Sequence, residues 1–221
     1  MNVLTATLPA VRRAAAEALA LVFPTVCAGC DAPDTVLCPA CRDELVPTPR
    51  ESVTDAGLRV RSALAFDGVV ARTIRAVKEE GRTSLVPPLA RALEAVIPND
   101  VAEMLVVPVP SSAAALRRRG FSLNEMLIRR MGLPRVRLLR LTGTARDQRG
   151  LSRAERAENV AGAFRAGDVR GARVLLIDDV LTTGATLSEA ARALRAAGAD
   201  DVQAVTVAAT VRRGFLPASH T

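Results

Sequence analysis

Tryptophan and tyrosine are absent, and only five phenylalanines occur in 221 residues. The core must therefore be built from leucine, valine and alanine, and the aromatic platforms on which single-stranded nucleic-acid binders commonly stack bases are scarce. Lysine is nearly missing too, Lys78 being the only one, and no segment reads GxxxxGK[ST]. That excludes the phosphate loop that such a lysine would complete. The one histidine, His220, sits in the last residues of the chain, an unpromising place for a catalytic base. No run approaches the roughly 18 apolar residues of a membrane span.

What is present is basic and aliphatic. The formal charge is +7 and hydrophobic residues make up 49% of the chain, enough for one sizeable α/β domain with a small appendage. Nearly all the positive charge is arginine, whose planar guanidinium suits phosphate, pyrophosphate or a DNA backbone.

The most informative stretch is VLLIDDVLTTGATLSEAARALRAAG, Val174 to Gly198. Four aliphatic residues, Val174 to Ile177, predict a short buried strand of a parallel sheet that breaks at Asp178 and Asp179. A loop of Thr182, Thr183, Gly184, Ala185 and Thr186 follows, then a helix with Leu187, Ala190, Ala191, Leu194 and Ala197 on one face. Free N–H groups at the helix start, with the threonine hydroxyls, form a donor site for a phosphate that Gly184 lets the chain approach. The two carboxylates would repel a phosphate but can accept hydrogen bonds from adjacent hydroxyls, such as the 2′ and 3′ groups of a ribose. A ribose 5-phosphate is the ligand this element fits. A Walker B strand also ends in acids, but it needs the missing phosphate loop.

Elsewhere, residues 6–22 read as an amphipathic, alanine-rich helix. It is interrupted by Glu17 and followed by Val26 where a processing site would want a small residue, so it is retained and the protein is expected in the cytoplasm. Cys27, Cys30, Cys38 and Cys41 form two CxxC pairs within 15 residues. Four thiolates complete a closed tetrahedron for structural Zn²⁺, with a redox pair or two disulfides as the alternatives. Zinc and four thiolates together add −2, leaving a formal charge of about +5. The division expected is helix and knuckle over 1–46, a linker over 47–57 with Pro47 and Pro49, and an α/β domain over 58–221. Asp67 is expected to cap a helix running to about Lys78, and Lys78 with Arg82 around Gly81 could reach a phosphorylated ligand. Residues 84–96 read as another helix.

Residues 104–107 read as a strand running into Pro108, Val109, Pro110 and Ser111, a rigid turn whose N–H groups can face an anion. Arg117 and Arg118, with Arg119 and Gly120, end the helical stretch that follows. A second anion site of this kind is what pyrophosphate would need. Residues 141–151 read as a mobile polar loop of the sort that closes over a ligand, and Ser152 to Glu155 as a capping box that opens a helix. Residues 202–207 supply a last strand.

Val174 to Thr186 resembles the signature by which type I phosphoribosyltransferases bind phosphoribosyl pyrophosphate (PRPP). The order of parts is similar to that of the ComF family: Cys27 to Cys41, Lys78 to Gly81, Pro108 to Pro110, Arg117 to Phe121, Gln148 to Leu151, Arg156 to Val160, then the signature. One departure is that the family usually continues RRRGF with Asn-Gln, where this chain has Ser122, Leu123 and Asn124. The resemblance implies a type I phosphoribosyltransferase-like fold, a mostly parallel twisted sheet flanked by helices, with a small N-terminal zinc knuckle of four cysteines. It also implies PRPP with Mg²⁺ at Asp178, Asp179, Thr182 to Thr186, Val109 to Ser111, Arg117 and Arg118, the two aspartates stabilising positive charge on the ribose. The process implied is natural competence, with single-stranded DNA and a helicase-like partner. The acceptor is open, as are turnover against binding alone and self-association into a homo-oligomer. The alternatives are a non-catalytic PRPP-binding adaptor and a single-stranded-DNA-binding component of the uptake machinery.

Overall fold

The computed structural model describes residues 25–142 and 162–210. The helix expected over 6–22, the loop from residue 143 onward, the capping box at Ser152, the elements Gln148 to Leu151 and Arg156 to Val160, and His220 lie outside the described residues.

A five-stranded sheet runs in the order β1-β2-β7-β6-β3. Strand β1 (Arg50–Val53) pairs antiparallel with β2 (Arg59–Ala65). The other three, β3 (Leu105–Pro108), β6 (Arg173–Leu181) and β7 (Asp201–Ala209), continue the sheet in parallel. Two short antiparallel strands, β4 (Leu139–Leu141) and β5 (Phe164–Ala166), make a separate ribbon.

Alternation along the strands splits the core into two layers. Leu175 and Ile177 of β6 and Val205 and Val207 of β7 join one cluster, with Ile74 and Val77 of helix α2 (Gly68–Glu80), Leu89 and Leu93 of α3 (Val86–Glu94), and Leu123 and Leu127 of α5 (Leu123–Arg130). Val174 and Leu176 of β6 and Val202 and Ala204 of β7 join the other, with Leu187 and Leu194 of α6 (Ala185–Ala196) and Phe164 of the ribbon. Strands β3 and β6 are parallel neighbours, yet the chain after β3 returns through α5 to one face and the chain after β6 enters α6 on the opposite face. Adjacent strands that send their continuations to opposite faces leave a crevice at their carboxyl ends, where open α/β sheets bind ligands.

The cysteine segment joins the first cluster. Cys27, Leu37, Cys41 and Leu45, together with the one-turn helix α1 (Pro39–Asp43), pack into the same core as α2. Arg72 of α2 pairs with Asp31, and Arg82, just beyond α2, donates to the carbonyls of Val26 and Val36.

Three expectations are corrected. Residues 50–53, inside the linker expected over 47–57, form the edge strand β1, because their backbone groups pair with those of β2. Thr54, next along, accepts from the Leu58 N–H and meets the Ser188 hydroxyl at 2.9 Å. The strand expected to break at Ile177 instead runs through both aspartates to Leu181, since Asp178, Val180 and Leu181 stay in register with Thr206, Ala208 and Ala209 of β7. Ala185 and Thr186, expected in a loop, are the first residues of α6.

Gly184, the residue before α6, adopts φ +81°, and a Cβ there would lie 2.8 Å from Thr54 Cγ2. Its close approach is to the β1 end of the chain, and its φ is one that only glycine adopts without strain. Gly184→Ala should therefore lower stability by about 1–3 kcal/mol in urea unfolding; an unchanged midpoint would mean that Thr54 yields freely.

Candidate functional site

At the crevice, three segments meet. The Val109 N–H donates to the Ile177 carbonyl at 2.9 Å, which fixes the Pro108–Ser111 turn beside Asp178. From β6 the chain turns through Thr182, Thr183 and Gly184 into α6, with the Thr183 hydroxyl 3.4 Å from the Ala185 N–H and Thr182 and Thr186 exposed. An N-terminal helix turn of this kind presents unpaired N–H groups. Against the Pro108–Ser111 turn lies a cavity of about 230 Å³ lined by Val109, Ser111, Ser122 and Glu125, among others. Glu125 is ionised, its carboxyl held below the usual carboxylate range by hydrogen bonds from Arg137, and that same ion pair compensates its charge.

Two side chains that the motif does not contain complete the acid pair. Lys78, in the last turn of α2, reaches Asp179 Oδ1 at 2.7 Å. Asn124, in the first turn of α5, donates its Nδ2 to Asp178 Oδ1 at 3.0 Å and to the Val109 carbonyl at 2.9 Å. Burial and then the neighbouring Asp179 charge raise the Asp178 carboxyl to about 7, against the opposing effects of Asn124 and Lys78. Of the residues expected to bind pyrophosphate, Val109, Pro110 and Ser111 lie at the crevice, whereas Arg117 and Arg118 are exposed on the last turn of helix α4 (Ala113–Arg119).

A phosphoribosyl transferase domain model matches residues 114–219. Over 107 residues the chain is 33% identical to Competence protein F of Haemophilus influenzae, covering 44% of this chain and 47% of that protein. It is 32% identical over 105 residues to competence protein ComFC of Streptococcus pneumoniae, covering 46% of each. Residues 114–219 are thus similar to a phosphoribosyl transferase domain, and the chain is similar to two competence proteins over a little under half its length. Adenine phosphoribosyltransferase of Treponema pallidum is 34% identical over 93 residues, 42% of this chain and 49% of that one. The chain thus spans about half the length of the curated relatives it matches. Its mostly parallel sheet flanked by helices agrees with the type I phosphoribosyltransferase-like fold of the matched domain.

Ser122, Leu123 and Asn124, where the sequence departs from the pattern it resembles, each have a place in the structure. The Ser122 hydroxyl caps α5 by accepting from the Glu125 N–H, Leu123 is buried in the core, and Asn124 carries an amide to the acid pair. Asn124 was legible in the sequence only as a departure. Lys78 stood out as the single lysine, but its partner 101 positions away could not be read from the sequence.

The four cysteines are free thiols whose sulfurs lie within 4.8 Å of one another. A tetrahedron with metal–sulfur bonds of about 2.3 Å puts its sulfurs about 3.8 Å apart, so the cluster fits a tetrathiolate metal site. Backbone N–H groups of Gly29 and Cys38 point at Cys27 Sγ, at 3.4 and 3.3 Å. Burial alone would raise the Cys27 thiol, but N–H groups of Cys38, Gly29 and Cys30 outweigh it and bring it down to about 6. That thiol is poised to act as a thiolate ligand. A Cβ on Gly29 would fall 2.5 Å from Cys41 Sγ and 2.8 Å from Val69 Cγ1.

Two outcomes follow. The chain should hold one tetrathiolate-bound metal ion by elemental analysis, and Gly29→Ala should weaken retention against a chelator at least about tenfold by displacing Cys41; equal retention would mean that the knuckle tolerates the shift. The second concerns Asp178. Its folded value of about 7 lies above its ordinary 3.8, so its ionisation subtracts stability as pH climbs between the two, and the loss is complete above about 7. Asp178→Asn should be more stable than the parent by about 1–3 kcal/mol at pH 8, discounting for solvent access, and equal to it near pH 4. Urea titrations at both pH values check this, and a variant less stable at pH 8 would contradict it.

Proposed function

We propose that this chain binds PRPP and acts as a phosphoribosyltransferase-like component of DNA uptake. The observation that carries the reading is the convergence of the Asp178–Asp179 pair, the Val109 turn and the Thr182–Thr186 segment at the carboxyl ends of β3 and β6. In this reading the 5-phosphate sits on Thr182, Thr183, Gly184, Ala185 and Thr186, using the hydroxyls and the first N–H groups of α6. The ribose 2′ and 3′ hydroxyls donate to Asp178 and Asp179, with Lys78 holding Asp179 in place until the sugar arrives. Pyrophosphate lies against Val109, Pro110 and Ser111, and Arg117 and Arg118 would have to swing from the exposed end of α4 to reach it.

The chemistry asked of these residues is electrostatic. When the bond from ribose carbon 1 to the pyrophosphate oxygen breaks, the ring gains positive charge, and carboxylates beside it stabilise that charge relative to the neutral ground state. Hard oxygen donors, the Ser111 hydroxyl and the substrate's own phosphate oxygens, suit Mg²⁺, whose contribution when bound is to offset charge on the departing pyrophosphate. The acceptor's identity is left to experiment. The cysteine cluster is read as a structural Zn²⁺ site, its four thiolates leaving no open position for water. Free thiols of this kind suit a reducing compartment, which supports the cytoplasm.

The link to competence rests on the names of the Haemophilus and Streptococcus relatives, and it brings single-stranded DNA and a helicase-like partner as proposed partners. Similarity to an adenine phosphoribosyltransferase supports turnover.

Calorimetry with PRPP and Mg²⁺ should give saturable binding that tightens as pH rises through about 7, because ionised Asp178 is the better acceptor. Asp178→Ala combined with Asp179→Ala should weaken it at least about a hundredfold. Absence of heat from the parent protein would end the PRPP reading. Pyrophosphate release across a panel of bases and amines separates transferase from adaptor, and saturable binding with no release from any acceptor would leave the adaptor.

A further inference from the structure

The acid pair and the pyrophosphate-side turn belong to different strands, and one amide ties them together. Asn124 is 4% exposed, and its single Nδ2 reaches the Val109 carbonyl at 2.9 Å and Asp178 Oδ1 at 3.0 Å. Its orientation follows from those partners. Both are acceptors, so the nitrogen must face them, and a flipped amide would set three oxygens against one another. Oδ1 is left buried with no partner among the described residues. A need for packing alone would be met at this position by leucine, which fills nearly the same space without an unpaired acceptor. An amide that accepts that penalty is placed there for what its donors do.

Resting on the PRPP reading above, we propose that Asn124 is a positioning residue. It fixes the separation between the turn that receives pyrophosphate and the carboxylate that receives ribose, and it keeps Asp178 in the acceptor state. Both ends of the scissile bond are then registered by one side chain. The geometry supports this in three ways. The Val109 carbonyl is the last polar group before Pro110 and Ser111, so holding it sets the turn's depth. The Asp178 oxygen that Asn124 holds also accepts the Asp179 N–H at 2.9 Å, which leaves Oδ2, among the described residues, as the oxygen to meet a sugar hydroxyl. The charged and titratable groups facing Asp178 are Asp179 and, through it, Lys78; Asn124 is the neutral donor that opposes the repulsion from Asp179.

The test uses the full chain and its isosteric variant Asn124→Leu, with thermal unfolding to confirm folding. Two quantities are read: the Asp178 carboxyl titration by carbon-13 NMR without ligand, and PRPP affinity with Mg²⁺ from pH 6 to 9. Asn124→Leu should move the Asp178 midpoint upward and weaken PRPP about tenfold to a hundredfold near neutral pH, with part of the loss recovered at pH 9 as Asp178 ionises. Asn124→Ser, which keeps a short donor, should fall between the two. The inference is overturned if Asn124→Leu binds PRPP within twofold of the parent, or if the carboxyl midpoint stays put. Failure of the parent protein to bind PRPP would remove the underlying reading and this inference with it, an outcome distinct from equal binding by parent and variant.

Discussion

Two carboxylates on consecutive residues of one strand, at the mouth of a partly dry crevice, repel each other, and this constraint organises the functional half of the molecule. Two unit charges a few ångströms apart at an effective dielectric of about 20 repel by about 3–4 kcal/mol, a sizeable fraction of what holds a small domain together. The fold meets it with one cation and one amide. Lys78 offsets the charge of Asp179, and Asn124 donates to Asp178. Neither removes the strain, because Asp178 still holds its proton to about pH 7. A pair arranged for stability alone would have been neutralised fully. A pair left only partly neutralised keeps its capacity to accept hydrogen bonds, at a cost in stability that a hydrogen-bond-donating ligand would offset.

The cysteine knuckle is connected to the same constraint through α2. That helix carries Lys78 in its last turn, and along its length it is fastened to the knuckle by Arg72 on Asp31, by Val69 against Gly29, and just past its end by Arg82 on the Val26 and Val36 carbonyls. The exposed Arg72 pair adds little energy by itself. Its value is directional, because with the shared apolar cluster it sets where α2 lies against the sheet and so where Lys78 ends. Cysteines more than 130 positions from the acid pair thereby bear on its geometry through rigid packing.

How far the sequence could be read follows from which interactions are local. The β6 to α6 unit was legible because strand, acids, small loop and helix are contiguous and each has its own pattern: aliphatic run, charge, threonine with glycine, and apolar period near 3.6. The two CxxC pairs were legible for the same reason, since four ligands within 15 residues have few alternatives. The extent of β6 was not, because pairing with β7 carries the strand past two residues of poor strand propensity, and tertiary register outweighs local preference. Residues 50–53 looked like linker for a similar reason: RESV has no periodicity, and its strand exists only because β2 offers an edge. Lys78 and Asn124 carried the weakest signal. A lone lysine and a misplaced asparagine gain meaning only when a fold brings them 101 and 54 positions across the chain to the aspartates.

A motif confined to one strand and its following loop secures only part of a site's geometry. The β6 strand and the loop after it supply acceptors and donors, but they do not set their own distance from the Val109 turn, because that turn follows a different strand. The inter-strand ladder between β3 and β6 fixes the distance between backbones, ending where the Val109 N–H meets the Ile177 carbonyl. Side-chain registration beyond that point needs a further link, and in this chain Asn124 spans the gap that backbone pairing leaves. The sequence beside the motif can therefore vary while the motif's geometry holds, provided a donor still reaches both the Val109 carbonyl and the Asp178 carboxylate, as Asn124 does.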